Sequence, residues 1–327
     1  ALPFSGHWGD TPGAMQPQHE GRWREHSLDG ALLRFDRQSG INQLIRSEKT
    51  RHLVQTAPRF LHVALTNECN KSCSFCYRPL DAASLWSFDE LLAFARWAAD
   101  WGVLEMTFGG GEPLVFPRFA ELLAAIWNET PICPSFTTNG VLLDRRLLRS
   151  IRGVYGQLQL SVYEDEEPEE KIALLSTERA RFGLNVLVTP RRLRTLEVDL
   201  LRWLRLGAHD VLLLSYKGDD ASMHLSARQD AMLAASVERL RERFGAHLTF
   251  KVDVCWRSRL ERLPQLLDND DCDAADAFLS ISSDKCVAPC SFHEERVPFE
   301  SYDEIPEIYR RLRRERPRAA VRGCGRV

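Results

Sequence analysis

The sequence predicts an α/β protein whose parallel sheet carries helices on its outside. Three observations lead there. From residue 61 to residue 254, short apolar runs alternate with longer segments of helical periodicity. Some of the runs, such as the Val-Leu-Leu-Leu at 211–214, are apolar throughout, as strands buried on both faces are. The third is position: residues able to do chemistry collect just after the runs, and the carboxyl ends of parallel strands are where such folds place their sites.

Residues 1–30 show no periodicity and are expected to be irregular. Residues 31–47 read as a β-hairpin turning at Gln38-Ser39-Gly40. Residues 50–56 read as a short helical link that ends before Pro58, since the residue ahead of a proline avoids the helical region. A strand is then expected over 61–65, and a helix over 88–101 with Ser87 as its N-cap. Strands follow at 103–108, 135–138, 156–163, 185–189, 211–215 and 248–254. The helices between them are expected at 117–127, 145–152, 168–182, 196–206 and 226–244. The alternation then stops. Residues 272–327 read as two short strands, 278–282 and 286–290, and a helix near 304–314, too little to build a separate core. The expected division is therefore 1–57, an extension with the hairpin; 58–250, the sheet and its helices; and 251–327, a small appendage.

Net charge is −3, with arginines interspersed among acids, so nothing asks for nucleic acid as a partner. No stretch approaches the roughly 18–20 apolar residues of a membrane helix. Residues 1–15 lack the basic region and apolar core of a secretory signal. The nine cysteines are clustered rather than dispersed, and a chain this long does not need a disulfide scaffold. Clusters of this kind read as metal ligation in a reducing compartment, which predicts a cytoplasmic protein.

Cys69, Cys73 and Cys76 occupy one loop, at spacings of four and three. Three thiolates from a loop leave a four-iron cluster with one open iron; a zinc site completed from elsewhere is the competing reading. The segment Cys-Asn-Lys-Ser-Cys-Ser-Phe-Cys, with Phe75 as its aromatic, resembles the cysteine signature of the radical S-adenosylmethionine superfamily. Gly109-Gly110-Gly111-Glu112-Pro113 resembles that family's motif after its second strand. The resemblance implies a partial (β/α)6 barrel and a [4Fe-4S] cluster whose open iron is chelated by S-adenosyl-L-methionine. It also implies reductive cleavage to a 5′-deoxyadenosyl radical that abstracts a substrate hydrogen. By position, Gly110, Gly111 and Glu112 are expected at the methionine amino group, because glycine admits close approach and a carboxylate complements an ammonium. Thr138, Asn139 and Gly140 resemble the third-strand motif. Ser161 takes the fourth-strand hydroxyl position, though Ser161-Val162-Tyr163-Glu164 departs from the usual Ser-x-Asp-Gly; Tyr163 replaces the acid or simply packs. Asn185 and Thr189 flank the fifth strand.

Residues 272–290 resemble the start of a SPASM or twitch domain, a small α+β unit holding auxiliary clusters, with Asp284-Lys285 at the turn and Pro289-Cys290 as its Pro-Cys. The resemblance implies one auxiliary [4Fe-4S] cluster. Cys255, Cys272, Cys286, Cys290 and Cys324 compete for four positions; Cys255, Cys272, Cys290 and Cys324 are the preferred set. Cys286 and Cys290 are expected on one side of one strand. Cys255 has a second reading. With Lys251 and Asp253 it alternates along the last strand, and a thiol there is able to return a hydrogen atom to a substrate radical. Lys217 follows the sixth strand and reads as a substrate-carboxylate ligand, a base or a solvated lysine; Cys133 reads as a packed thiol.

The expected function is radical modification of a ribosomally made precursor peptide, by crosslinking or epimerisation, with the hairpin at 31–47 available for strand addition or as a lid over the barrel bottom. Dehydrogenation or epimerisation of a carbohydrate or aminocyclitol is the alternative, and a metal-binding redox sensor the alternative outside enzymes. A flavodoxin or ferredoxin is the expected electron donor.

Overall fold

The computed structural model describes residues 23–78, 83–164, 167–256, 260 and 272–315. Six strand–helix units follow one another: β4 (Phe60–Thr66), α1 (Phe88–Trp101), β5 (Glu105–Gly110), α2 (Phe119–Glu129), β6 (Cys133–Thr138), α3 (Arg145–Ser150), β7 (Leu158–Val162), α4 (Glu169–Thr177), β8 (Phe182–Val188), α5 (Pro190–Arg205), β9 (Asp210–Ser215) and α6 (Ala227–Phe244). All six strands run parallel in sequence order, and β10 (Thr249–Val252) adds to β9 at one edge. This is the α/β architecture expected, an open partial barrel rather than a closed one.

Strand periodicity sorts the side chains. Leu61, Leu65, Met106 and Leu160 are buried beneath the helices. Their alternating neighbours His62, Thr107, Thr137, Gln159, Ser161 and Asn185 face an inner cavity instead. Helix α1 shows how local chemistry sets a boundary. Ser87 accepts from the Glu90 amide while Glu90 reaches back to Ser87, and Gly102 closes the C-terminus at φ 110°. Removing such an N-cap costs about 1 kcal/mol.

The two ends of the chain join this body in ways the sequence did not announce. Strand β1 (Arg24–Leu28) lies inside the span expected to be irregular; it pairs with β2 (Ala31–Asp36), which pairs with β3 (Ile41–Ile45) across the expected hairpin. The sheet covers the amino ends of the barrel strands. Leu33 and Phe35 pack with Leu104, Trp127 and Cys133. Arg37 donates to the carbonyls of Trp127, Thr130 and Ile132 at 2.9, 2.8 and 3.3 Å, capping the end of α2. At the other end, β11 (Phe278–Ile281) lies parallel to β4, with Phe278 opposite Phe60 and Ile281 opposite Val63. Strands β12 (Cys286–Ala288) and β13 (Val297–Pro298) continue the same ten-stranded sheet antiparallel, and α7 (Ile305–Arg314) follows. Within the described residues the appendage thus extends the barrel sheet rather than forming a sheet of its own.

Other boundaries shift for local reasons. Residues 50–56 hold no α-helix; a 3-10 turn, Glu48–Thr50, precedes them. Helix α4 stops at Thr177 rather than 182, because Arg179 adopts φ 52° and the chain turns into β8. Helix α5 starts at Pro190, capped by the Thr189 hydroxyl. Strand β10 ends at Val252, and Cys255 lies on a 3-10 turn, Val254–Trp256, rather than on the strand. Among the described residues, no helix is long and apolar enough to cross a membrane.

Candidate active site

The cysteine loop is fixed at its entry before its sulfurs are considered. The Asn67 amide donates to Ser84 Oγ at 2.9 Å, Arg78 donates to Asn67 Oδ1 at 2.7 Å, and the Glu68 amide donates to Thr66 Oγ1 at 3.0 Å. The loop after β5 then clamps it from the side. The Gly111 amide donates to Thr66 O at 2.7 Å, and the Glu112 amide to Glu68 O at 2.8 Å. That approach demands glycine: a Cβ on Gly110, at φ 120°, would lie 2.2 Å from Thr66 O, and one on Gly111 1.9 Å from Glu68 O. A close approach was the expected reason for these glycines. The structure adds that the cysteine loop's own backbone is what approaches.

Glu112 is 1% exposed. Its carboxylate accepts from Thr138 Oγ1 at 2.7 Å, the Asn139 amide at 2.8 Å and the Leu114 amide at 3.2 Å. Burial pushes its pKa up, against these hydrogen bonds and the nearby Lys71. Asn139 completes the link by donating to Asn70 Oδ1 at 2.7 Å, with the Cys69 sulfur 3.9 Å from its nitrogen. Three strand ends are thereby tied into one assembly around the loop. On the fourth, Tyr163 stacks obliquely on Phe75 at 5.3 Å, and the Lys71 ammonium lies over the Tyr163 ring at 5.0 Å.

Cys69, Cys73, Cys76, Phe75, Glu112 and Tyr163 all line one cavity of about 730 Å³, which runs down the lumen as far as Arg59 and His62. Ser161 and Asn185, paired across β7 and β8, also face it. Asn185 Oδ1 is buried without a hydrogen-bond partner, an acceptor left over by the protein. No three described His, Cys, Asp or Glu side chains converge as ligands of one ion would, but cysteines that ligate separate irons of a cluster need not converge.

Residues 63–176 match the family model of the Radical SAM superfamily. This stretch is a radical SAM domain. The chain is 33% identical over 129 residues to the PqqA peptide cyclase of Granulibacter bethesdensis, 38% of this chain and 34% of that protein. It is also 33% identical over 129 residues to the GTP 3′,8-cyclase of Chlorobaculum tepidum, 38% of this chain and 37% of that one. The chain thus spans about a third of these curated relatives. The crystal structure of Streptococcus suis SuiB bound to S-adenosylmethionine has the same fold, with a TM-score of 0.69 at 14% identity over 91% of this chain and 90% of that one. The superfamily implies a [4Fe-4S] cluster and S-adenosylmethionine. Three cysteines on one cavity wall and the unpartnered Asn185 acceptor fit both.

The other cysteines divide sharply. Cys255, Cys272 and Cys290 line the radical SAM cavity. Cys286 does not: β12 ends at Ala288, so Cys286 and Cys290 do not share a strand, and the Cys286 sulfur lies 3.8 Å from Asp284 O. Cys324 lies outside the described residues. Cys255 is disulfide-bonded in this structure, so it must be reduced before it ligates iron or gives up a hydrogen atom. Cys133 is buried below the lumen, its thiol pushed up by burial, as a packed thiol should be. Thr189 serves as the α5 cap and is not a cavity residue.

Lys217 lines the cavity and is not solvated, being 7% exposed. Its ammonium contacts Asp253 Oδ2 at 2.6 Å and donates to Ser215 O at 2.8 Å. Sequence reasoning missed Lys71, Asn67, Arg78 and Tyr77. The last follows Cys76 directly and stacks on Phe292 with centroids 4.1 Å apart, joining the two cysteine regions. Its adjacency to a ligand cysteine was the available signal.

Proposed function

We propose that the chain is an enzyme that uses S-adenosylmethionine to start radical chemistry on a ribosomally made precursor peptide, forming a crosslink or inverting a residue. The observation that carries the radical half is the single cavity shared by Cys69, Cys73, Cys76 and the Gly110–Glu112 clamp. When bound, the cluster and cofactor supply one-electron cleavage of the sulfonium and a 5′-deoxyadenosyl radical that takes a hydrogen atom from the substrate. The chain's own residues bind and orient. Cys69, Cys73 and Cys76 hold the first cluster. Gly110, Gly111, Glu112, Thr138 and Asn139 hold the loop and present carbonyl and amide groups to the methionine end. Ser161 and Asn185 offer a hydroxyl and a carbonyl oxygen, and Phe75 and Tyr163 form an apolar wall. A flavodoxin or ferredoxin in a reducing cytoplasm is the matching electron source.

The peptide half rests on likeness: SuiB has been crystallised bound to its precursor peptide SuiA, and the Granulibacter relative is named for a peptide. The small-molecule alternative is a carbohydrate or aminocyclitol in the same cavity. Cys255, Cys272 and Cys290 support one auxiliary [4Fe-4S] cluster, with Cys324 as its fourth ligand. In this reading 58–250 is the catalytic unit, with 1–57 and 251–327 on either side.

The test is anaerobic reconstitution with iron and sulfide, followed by iron counting in wild type and in a Cys69→Ala/Cys73→Ala/Cys76→Ala triple variant. About eight irons falling to about four support both clusters. A count of about four falling to none removes the auxiliary cluster. Failure to form 5′-deoxyadenosine with dithionite would remove the enzyme reading altogether. Hydrogen transfer from labelled peptide, rather than labelled sugar, into 5′-deoxyadenosine decides the substrate class.

A further inference from the structure

The Lys217–Asp253 pair is the most tightly bonded charged group on the cavity wall outside the cofactor site. Its side chains are 7% and 12% exposed. Asp253 is a hub. It accepts from the Ser215 amide at 2.8 Å, from Lys217 at 2.6 Å and from the Cys255 amide at 2.9 Å. One carboxylate therefore joins the end of β9 to the turn that carries Cys255. The ammonium also faces the Cys290 side of the cavity: it lies 5.3 Å from the centroid of Phe292, two residues after Cys290. A buried ion pair of this kind rarely repays its desolvation in stability alone, which leaves a role in placement and local potential to be explained.

We infer that Lys217 and Asp253 are positioning residues for the auxiliary site: Asp253 fixes Cys255, and Lys217 sets a positive charge beside the Cys290 side of the cluster, making it easier to reduce. This rests on the auxiliary cluster proposed above. Net charge and hydrogen bonding near the sulfurs are what tune such a cluster. The pair is split, acid toward Cys255 and cation toward Cys290, so neutralising either member shifts the cluster in a direction fixed by the charge removed.

The experiment uses the full chain in the Cys69→Ala/Cys73→Ala/Cys76→Ala background, reconstituted with iron and sulfide under reductant, so that only the auxiliary cluster is read. Iron per chain and the reduced fraction against potential, followed by electron paramagnetic resonance, are measured with Lys217→Met, Lys217→Arg and Asp253→Asn added. At fixed potential, Lys217→Met is expected to lower the ratio of reduced to oxidised cluster about tenfold, equivalent to about 59 mV for a one-electron couple. Lys217→Arg restores it, and Asp253→Asn moves it the opposite way. Loss of packing alone does not give opposite signs. Lys217→Met with unchanged iron and an unchanged potential overturns the inference. If Lys217→Met loses its iron, Asp253→Asn decides: a potential at or below the parent's overturns it. No iron in the parent background instead overturns the auxiliary-cluster reading.

Discussion

Gly111→Ala tests whether the glycine motif serves the cysteine loop. The added Cβ would lie 1.9 Å from Glu68 O, 2.5 Å from Glu68 C and 2.7 Å from Asn67 O, all backbone atoms with no side-chain torsion to relieve them. The strands or the loop must move apart, and the 2.7 Å and 2.8 Å bonds from Gly111 and Glu112 to Thr66 and Glu68 lengthen or break. Overpacking costs about 1–3 kcal/mol and each lost hydrogen bond about 0.5–1.5 kcal/mol. The total is about 2–6 kcal/mol, a large share of a domain's stability. Gly109→Ala is the matched control, since a Cβ there meets nothing within 4 Å and its cost is expected to stay below about 0.5 kcal/mol. Urea unfolding of the iron-free chains measures the energy, and iron retention after desalting measures the loop. Gly111→Ala with the stability and iron of Gly109→Ala would refute the clamp.

His62 is pushed down to about 4 by burial, so it folds neutral. The unfolded chain binds the extra proton between about pH 6.5 and 4. Stability therefore falls as pH drops through that window, by at most about 3 kcal/mol, and His62→Gln should flatten the slope in acid-unfolding titrations. Glu112 has the opposite sign. Its folded pKa is raised above the unfolded value, so the ionised form is penalised, and stability relative to Glu112→Gln should fall as pH rises past about 4.5, read by denaturant unfolding at several pH values. Tyr163→Phe keeps the ring against Phe75 and under Lys71, whereas Tyr163→Ala removes a contact of about 0.5–1.5 kcal/mol. Equilibrium binding of S-adenosylmethionine should weaken roughly 3- to 10-fold for alanine and little for phenylalanine. Arg37→Ala removes three carbonyl partners and a stack on Trp127 at 4.4 Å. It should lower stability by about 2 kcal/mol while leaving iron content unchanged, because it acts at the opposite end of the barrel.

What the sequence made legible is what short-range pattern encodes. The six strand–helix units appear in order, and α1 has its expected residues, because Ser87, Glu90 and Gly102 are ordinary boundary signals. Helix α4 was overrun because its stop is Arg179 in a left-handed conformation, where a glycine would have been visible. The turn at Lys285 hides the same way: its φ is 58°, yet Asp284-Lys285 was readable by position. Strand β1 was missed because Arg24-Glu25-His26-Ser27-Leu28 does not look like a buried strand. Its polar groups are spent on the C-terminus of α1, where Arg24 donates to Val103 O and Ala99 O and the His26 ring bonds Gly102 O. Cys255 left its expected strand because the Asp253 carboxylate takes the Cys255 amide and starts a turn.

The cysteine sets share a cavity because of a pairing that no local pattern records. Phe292, just after Cys290, meets Tyr77, next to Cys76, because β11 lies beside β4, more than two hundred residues earlier in the chain. The alternation of β11 is then decisive. Leu279 and Ile281 are buried in the main core, while Phe278 and Ser280 line the lumen, with the Phe278 ring 5.3 Å from Phe60 and 5.2 Å from His62. A slip of one residue would turn Leu279 and Ile281 into the lumen and carry Cys290 and Phe292 out of reach of Tyr77. The Phe60–Phe278–His62 stack pins that register at the strand's start, and Trp86, donating to Ser282 O at 3.0 Å, pins it at the end. Trp86→Phe should therefore loosen the Cys290 loop before it affects the Cys69 loop. Hydrogen exchange that rises at 286–292 and stays unchanged at 66–69 is the expected sign, and equal exchange in both would show that the register is held elsewhere.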